Sequence, residues 1–174
     1  MDRFPDPRRD ELGGEEREAF DRITARRGKV PAPFVPLLKS PATAELFEAL
    51  SSHLWSSLPA DVAELAFLIV AWHHRCAYQW HTHVPKALAA GLSQEDIARL
   101  SRGEPLPPGR LGDLGRFVTA LCAGPAVPQH LHDAAVRELS ERGAVDLVAF
   151  CGAAQAVAML LKLRQPAASP FPHS

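Results

Sequence analysis

The chain has 174 residues, 47% of them hydrophobic and 22% charged, which suits one globular domain with a single core. Nineteen Lys plus Arg against twenty Asp plus Glu leave a net charge of −1, so no overall field favours nucleic acid or anionic lipid as a partner. Three cysteines, Cys76, Cys122 and Cys151, are too few for a disulfide scaffold and form no C-x-x-C pair, which excludes a zinc ribbon and points to a reducing, cytoplasmic setting. Residues 1–16 are dense in Arg, Asp and Glu and contain no secretory apolar stretch. The apolar runs 65–72 and 147–161 are shorter than the roughly 20 residues that cross a bilayer, so they are expected to be core.

In chain order, residues 15–27 read as a charged helix with Phe20 and Ile23 on one side and Gly28 at its end. Residues 30–38, with three prolines, read as an extended peripheral arm. Residues 1–29 are thus a helical extension to a domain spanning 30–166. Ser40 before Pro41 signals a capped helix over 41–56, with Leu46, Phe47, Leu50 and Leu54 as its apolar stripe. Pro59 opens the next helix, whose run of Leu65, Phe67, Leu68, Ile69, Val70 and Trp72 leaves almost no polar face; it is the expected central helix.

A helix over 77–90 should stop at Gly91 and kink at Pro85, and Ser93 with Asp96 forms a capping-box pattern for a short helix ending near Gly103. Leu114, Phe117, Val118 and Leu121 mark another helix, followed by one over 128–142 that ends at Gly143. Residues 145–163 are apolar nearly all round, forming the second member of a central buried pair, and residues 167–174 have the composition of a flexible tail. No segment alternates with period two, so the predicted class is all-α.

Chemistry concentrates between Glu64 and His83. A carboxylate on so apolar a helix needs a partner, although its place in the first turn also suits the helix dipole. Cys76, Gln79, Trp80 and His83 are spaced by three and four and are expected to share a face, with Tyr78 pointing elsewhere. His83 is the best single proton-transfer group there, and a buried Glu64 could hold its tautomer. A metal site is disfavoured: among His73, His74, His81 and His83 the spacing never matches H-E-x-x-H, and His81 and His83 face different ways.

The segment 64–91 resembles the carboxymuconolactone decarboxylase and alkylhydroperoxidase D-like family. The pattern is a glutamate opening a buried helix, a cysteine twelve residues later, then a tyrosine, a second cysteine or acid, a histidine and an A-x-x-A-G-L-S ending. It falls here on Glu64, Cys76, Tyr78, Gln79, His83 and residues 87–93. The resemblance implies a compact all-α fold of the alkylhydroperoxidase D-like type and a homo-oligomer, trimeric or hexameric, with residues 30–38 able to cross onto a neighbour. It also marks a departure, because Gln79 stands where peroxide-reducing members have a second cysteine and where the decarboxylase branch has an acid. An amide hydrogen-bonds but holds no charge.

The expected activity is cofactor-free proton-transfer or lyase chemistry on a small lactone or carbonyl compound. His83 and Glu64 would be catalytic, Tyr78 or Gln79 would donate to the carbonyl oxygen, and Cys76 and Trp80 would line the substrate. Two other classes remain open: a thiol oxidoreductase acting through Cys76, and a non-catalytic binding protein.

Overall fold

The computed structural model describes residues 3–164 and 170–172, and every regular element among them is helical. The organising element is α3 (Ala60–His73), in which every residue from Val62 to Ala71 is buried. Such a helix has no face to give to water, and its surroundings are supplied by α4 (Ala77–Ala89), α5 (Gln94–Ser101), α6 (Arg110–Ala123) and α7 (Gln129–Arg164), all packed on it. The central helix predicted from sequence is therefore this one, and α7 buries Leu147, Phe150, Cys151, Ala154, Val157, Ala158 and Leu161 toward it.

Local signals account for most boundaries. Ser93 and Asp96 form the reciprocal capping box at the start of α5: the Asp96 N–H donates to Ser93 Oγ at 3.0 Å and the Ser93 N–H to Asp96 Oδ2 at 2.8 Å. Gly91 takes φ +108° just past α4, a conformation that L side chains rarely adopt. Pro85 lies within α4, which continues across it.

Several expectations are corrected. Residues 30–38 are not extended: they fold into 3₁₀ turns at Ala32–Phe34 and Pro36–Lys39, because a proline at the start of each presets the required φ and needs no N–H partner. Nor is this arm peripheral. Phe34 and Leu38 join Leu12, Ala19 and Ile23 of the N-terminal segment and Ala44 of α2 (Pro41–Ser57) in a second apolar cluster, to which α1 (Gly14–Arg27) contributes one side. The turn thus folds back over its own chain.

The stripe expected on α2 is rotated. Leu46 and Leu50 are exposed, whereas Ala44, Glu48, Ser51 and Leu54 are buried, because the guanidinium groups of Arg26 and Arg27 bind Glu48 and let a carboxylate face inward. The Ser40 hydroxyl pairs with Thr43 Oγ1 at 2.8 Å and not with a helix N–H.

The two helices expected over 128–163 run end to end within Gln129–Arg164, and the break lies at Ser140, φ +68°, three residues before the predicted stop at Gly143. Its hydroxyl accepts from the Gly143 N–H at 3.4 Å, so Ser140 caps the helical stretch that starts at Glu141. By length and composition this is the one helix among the described residues that could cross a membrane, yet it is a core helix here, packed on α2, α3 and α6.

Of the expected tail, residues 167–169 and 173–174 lie outside the described residues. Phe171 is buried, its ring centroid 5.6 Å from that of Trp80.

Candidate active site

Helices α3 and α4 are joined by a tight turn through Arg75, φ +51°, and this hairpin brings Glu64 in the second turn of α3 beside His83 in the second turn of α4. His83 Nδ1 donates to Glu64 Oε2 at 2.8 Å, and both side chains are about nine-tenths buried. With Nδ1 committed to the carboxylate, the neutral imidazole carries its lone pair on Nε2. Burial disfavours the imidazolium, and the hydrogen bond and charge of Glu64 restore only part of it, so His83 titrates below its ordinary value.

The imidazole sits among aromatic rings. Its centroid is 3.9 Å from that of Phe67 and 5.6 Å from that of Trp55, with Phe150 edge-on to Trp55 at 4.9 Å. These rings form the floor of a cleft of about 1240 Å³ that is lined by both His83 and Glu64. Nε2 makes no hydrogen bond among the described residues, which leaves it for a molecule in the cleft.

Tyr78, Gln79, Thr82, His83 and Lys86 give the cleft its α4 wall. The cleft-facing side of α4 is therefore displaced from the one expected. Tyr78 belongs to it, while Cys76 and Trp80 do not line the cleft; both are buried in the apolar core, Trp80 against Phe171. At 3.6 residues per turn, Cys76 and Trp80 lie on the far flank of Gln79 and His83, and Thr82 and Lys86 lie on the near one. The Cys76 thiol stands at the start of α4, and burial raises its pKa despite the hydrogen bond from the Gln79 backbone N–H. Burial pushes Cys151 up to about 12.

Gln79 is 1% exposed and half satisfied. Its Nε2 donates to the Ala154 carbonyl at 3.3 Å, whereas Oε1 has no partner among the described residues. A buried acceptor left this way costs on the order of 1–3 kcal/mol. One of the two Nε2 hydrogens of Gln79 is thus engaged on α7, and Oε1 is an open acceptor beside it. Among the described residues no group of His, Cys, Asp and Glu is arranged to hold a metal ion.

The aromatic floor and the N-terminal wall were not read from the sequence. Trp55 sits one residue after a predicted stripe position, and Phe67 is one of many apolar residues on α3, so neither stands out without the α3–α4 hairpin. Residues 27–34 line the cleft only because the proline turns fold back.

Among the described residues the fold is a helical domain in which a carboxylate-backed histidine faces an aromatic cleft. Residues 41–104, the segment from α2 through α5 that carries Glu64 and His83, match the model of the carboxymuconolactone decarboxylase family. No curated protein matches the chain.

Proposed function

We propose that the protein is an enzyme of the carboxymuconolactone decarboxylase type that moves a proton at a carbon beside a carbonyl group, in a small lactone or related compound, without a cofactor. The observation that supports this most is the buried Glu64–His83 pair, with Nε2 free toward the cleft. Neutral His83 takes the proton on Nε2 and returns it at the same or a neighbouring carbon. Glu64 fixes the tautomer and stabilises the imidazolium that forms between the two steps. The electron pair released at carbon passes into the carbonyl, and Tyr78, whose ring belongs to the α4 wall, is the side chain placed to donate to that oxygen. Trp55, Phe67 and Phe150 keep water from the reacting carbon. Isomerisation, decarboxylation and ring opening of an unsaturated lactone all draw on this same set of groups.

The thiol alternative has less support. Cys76 is buried away from the cleft with a raised pKa, and the second position of a C-x-x-C pair is Gln79. The test uses deuterium exchange. The protein is incubated with a small butenolide in D₂O, and the hydrogens next to the carbonyl are followed by NMR. Exchange above the buffer rate that disappears in His83→Ala supports the reading. Exchange that survives in His83→Ala, or none in the wild type across butenolides and open-chain carbonyl analogues, rejects it.

A further inference from the structure

The cleft draws a large part of its wall from residues that precede the family segment, among them Thr24, Arg27, Lys29 and Phe34. Within this wall Arg27 is held unusually firmly. Its Nε donates to Glu48 Oε1 at 3.1 Å, and its Nη2 to Ser51 Oγ at 3.3 Å and Ser52 Oγ at 3.0 Å. The guanidinium carbon lies 5.1 Å from the Phe34 ring centroid. Nη1 makes no hydrogen bond among the described residues.

Glu48 does not exhaust the charge of Arg27. It is 0% exposed, and its other oxygen, Oε2, binds Arg26 Nη1 at 2.5 Å, so two guanidinium groups share one carboxylate and one positive charge remains. Lys29 and Lys86 also line the cleft and have no ion-pair partner among the described residues. The acidic side chains of the lining are committed, Glu64 to His83 and Asp6 to Arg164. The uncommitted charge of the cleft is therefore positive, and the one member fixed in place is the Arg27 guanidinium, whose Nη1 is left to donate to an anionic oxygen.

We infer that Arg27, anchored by the buried Glu48, forms a carboxylate-binding subsite in the wall that the chain adds ahead of its family segment, so that the molecule turned over at His83 is a planar organic acid. This rests on the reading of His83 as the reacting centre, but the binding claim is separable from it. Arg27 touches the carboxylate, and Glu48 is a positioning residue acting through Arg27. Because Nε and Nη2 are spent, the acid is met through Nη1, with Lys29 and Lys86 adding attraction from the rim.

The experiment uses the full chain with benzoate and methyl benzoate, which fit an aromatic-floored cleft but contain no lactone. Binding is followed by ligand-observed NMR at low and high salt. The wild type is expected to bind benzoate about tenfold more tightly than the ester, with the preference shrinking in salt. Arg27→Met should lose the preference while leaving ester binding unchanged. Should Arg27→Met fail to fold, Arg27→Gln, which retains a hydrogen bond to Glu48, decides in its place. His83→Gln should keep the preference, which distinguishes failure of the anchor from failure of the catalytic reading. Equal binding of acid and ester by the wild type, or an acid preference that survives loss of the guanidinium, overturns the proposal.

Discussion

Glu64 and His83 stand nineteen residues apart on two different helices, yet the Glu64 carboxylate accepts the Nδ1 proton of His83 at 2.8 Å inside the fold. Burial and Glu64 pull the imidazole in opposite directions, and burial prevails, so His83 titrates below 6.5. A neutral base is therefore present at pH 7, and the acid limb of kcat/KM should fall below pH 6.5. Glu64→Gln removes the two contributions that raise the histidine pKa, so the limb should move to still lower pH. The rate should drop about a hundredfold or more, because an amide can impose the wrong tautomer. A pH–rate profile of the two proteins checks both statements.

The same histidine bears on stability. The unfolded chain binds its proton near the ordinary value of 6.5 and the folded chain only at lower pH, so between those values the unfolded state holds more protons. Stability from this group is thus full above 6.5, declines as pH falls below it, and levels off once the folded form titrates. Urea midpoints measured across that range should show this slope in the wild type and lose it in His83→Gln.

Glu48 gives the opposite test on α2. Burial alone would raise its carboxyl, but the hydrogen bonds from Ser52, Arg26 and Arg27 outweigh it and leave the group below its ordinary value of 4.5. Its contribution is present above 4.5 and lost as pH falls through the lower folded value. Glu48→Gln should cost about 2 kcal/mol at pH 7, since both arginines lose a charged acceptor while remaining partly solvated. The gap between wild type and variant should close in acid, as denaturant titration at pH 7 and below pH 4 would show.

These residues mark how far the sequence could be read. The α3 run is so apolar that its central place follows from composition, and the spacing of Glu64 and His83 is legible because one hairpin brings them together. Glu48 is not legible. A glutamate between Phe47 and Leu50 scores as surface until the arginines of α1 are folded against it, and that contact spans more than twenty residues. Helical periodicity gave the angular order of Cys76, Tyr78, Gln79 and Trp80 but not the direction of the cleft. That direction is set by α2, α7 and the returning proline turn, and so Tyr78 faces the cleft while Cys76 and Trp80 face the core.

Gln79 buries an orphaned acceptor at some expense to stability. Gln79→Leu removes an orphaned Oε1 and gives up one 3.3 Å bond to a carbonyl on α7, so folding stability should change by less than about 1 kcal/mol. If Oε1 meets a donor on the bound molecule, turnover should fall by at least about tenfold in the same variant. Thermal melts and steady-state kinetics on one preparation separate the two effects. Cys76→Ser, by contrast, should leave turnover within about twofold, since that thiol is outside the cleft lining.

The last prediction concerns assembly. Val145, Val148, Met159 and Leu163 are 67%, 43%, 63% and 46% exposed, and at 3.6 residues per turn they fall on one face of α7. On α2, Leu46 at 74% and Leu50 at 46% form a second exposed apolar pair one turn apart. Apolar side chains scattered singly need no explanation, but a helical face built from them is the kind of surface that a partner covers. A second copy of the chain is the expected partner, in keeping with the trimer or hexamer that the family resemblance implies, and the face is the same in every copy, as closed symmetry requires. Light scattering coupled to size exclusion at micromolar concentration should give a multiple of 18.9 kDa. Met159→Lys together with Val145→Lys should bring the mass down to 18.9 kDa with the helical circular dichroism unchanged, because neither side chain contributes to the core. A wild-type mass of 18.9 kDa at that concentration would reject obligate assembly and leave the α7 face to some other partner.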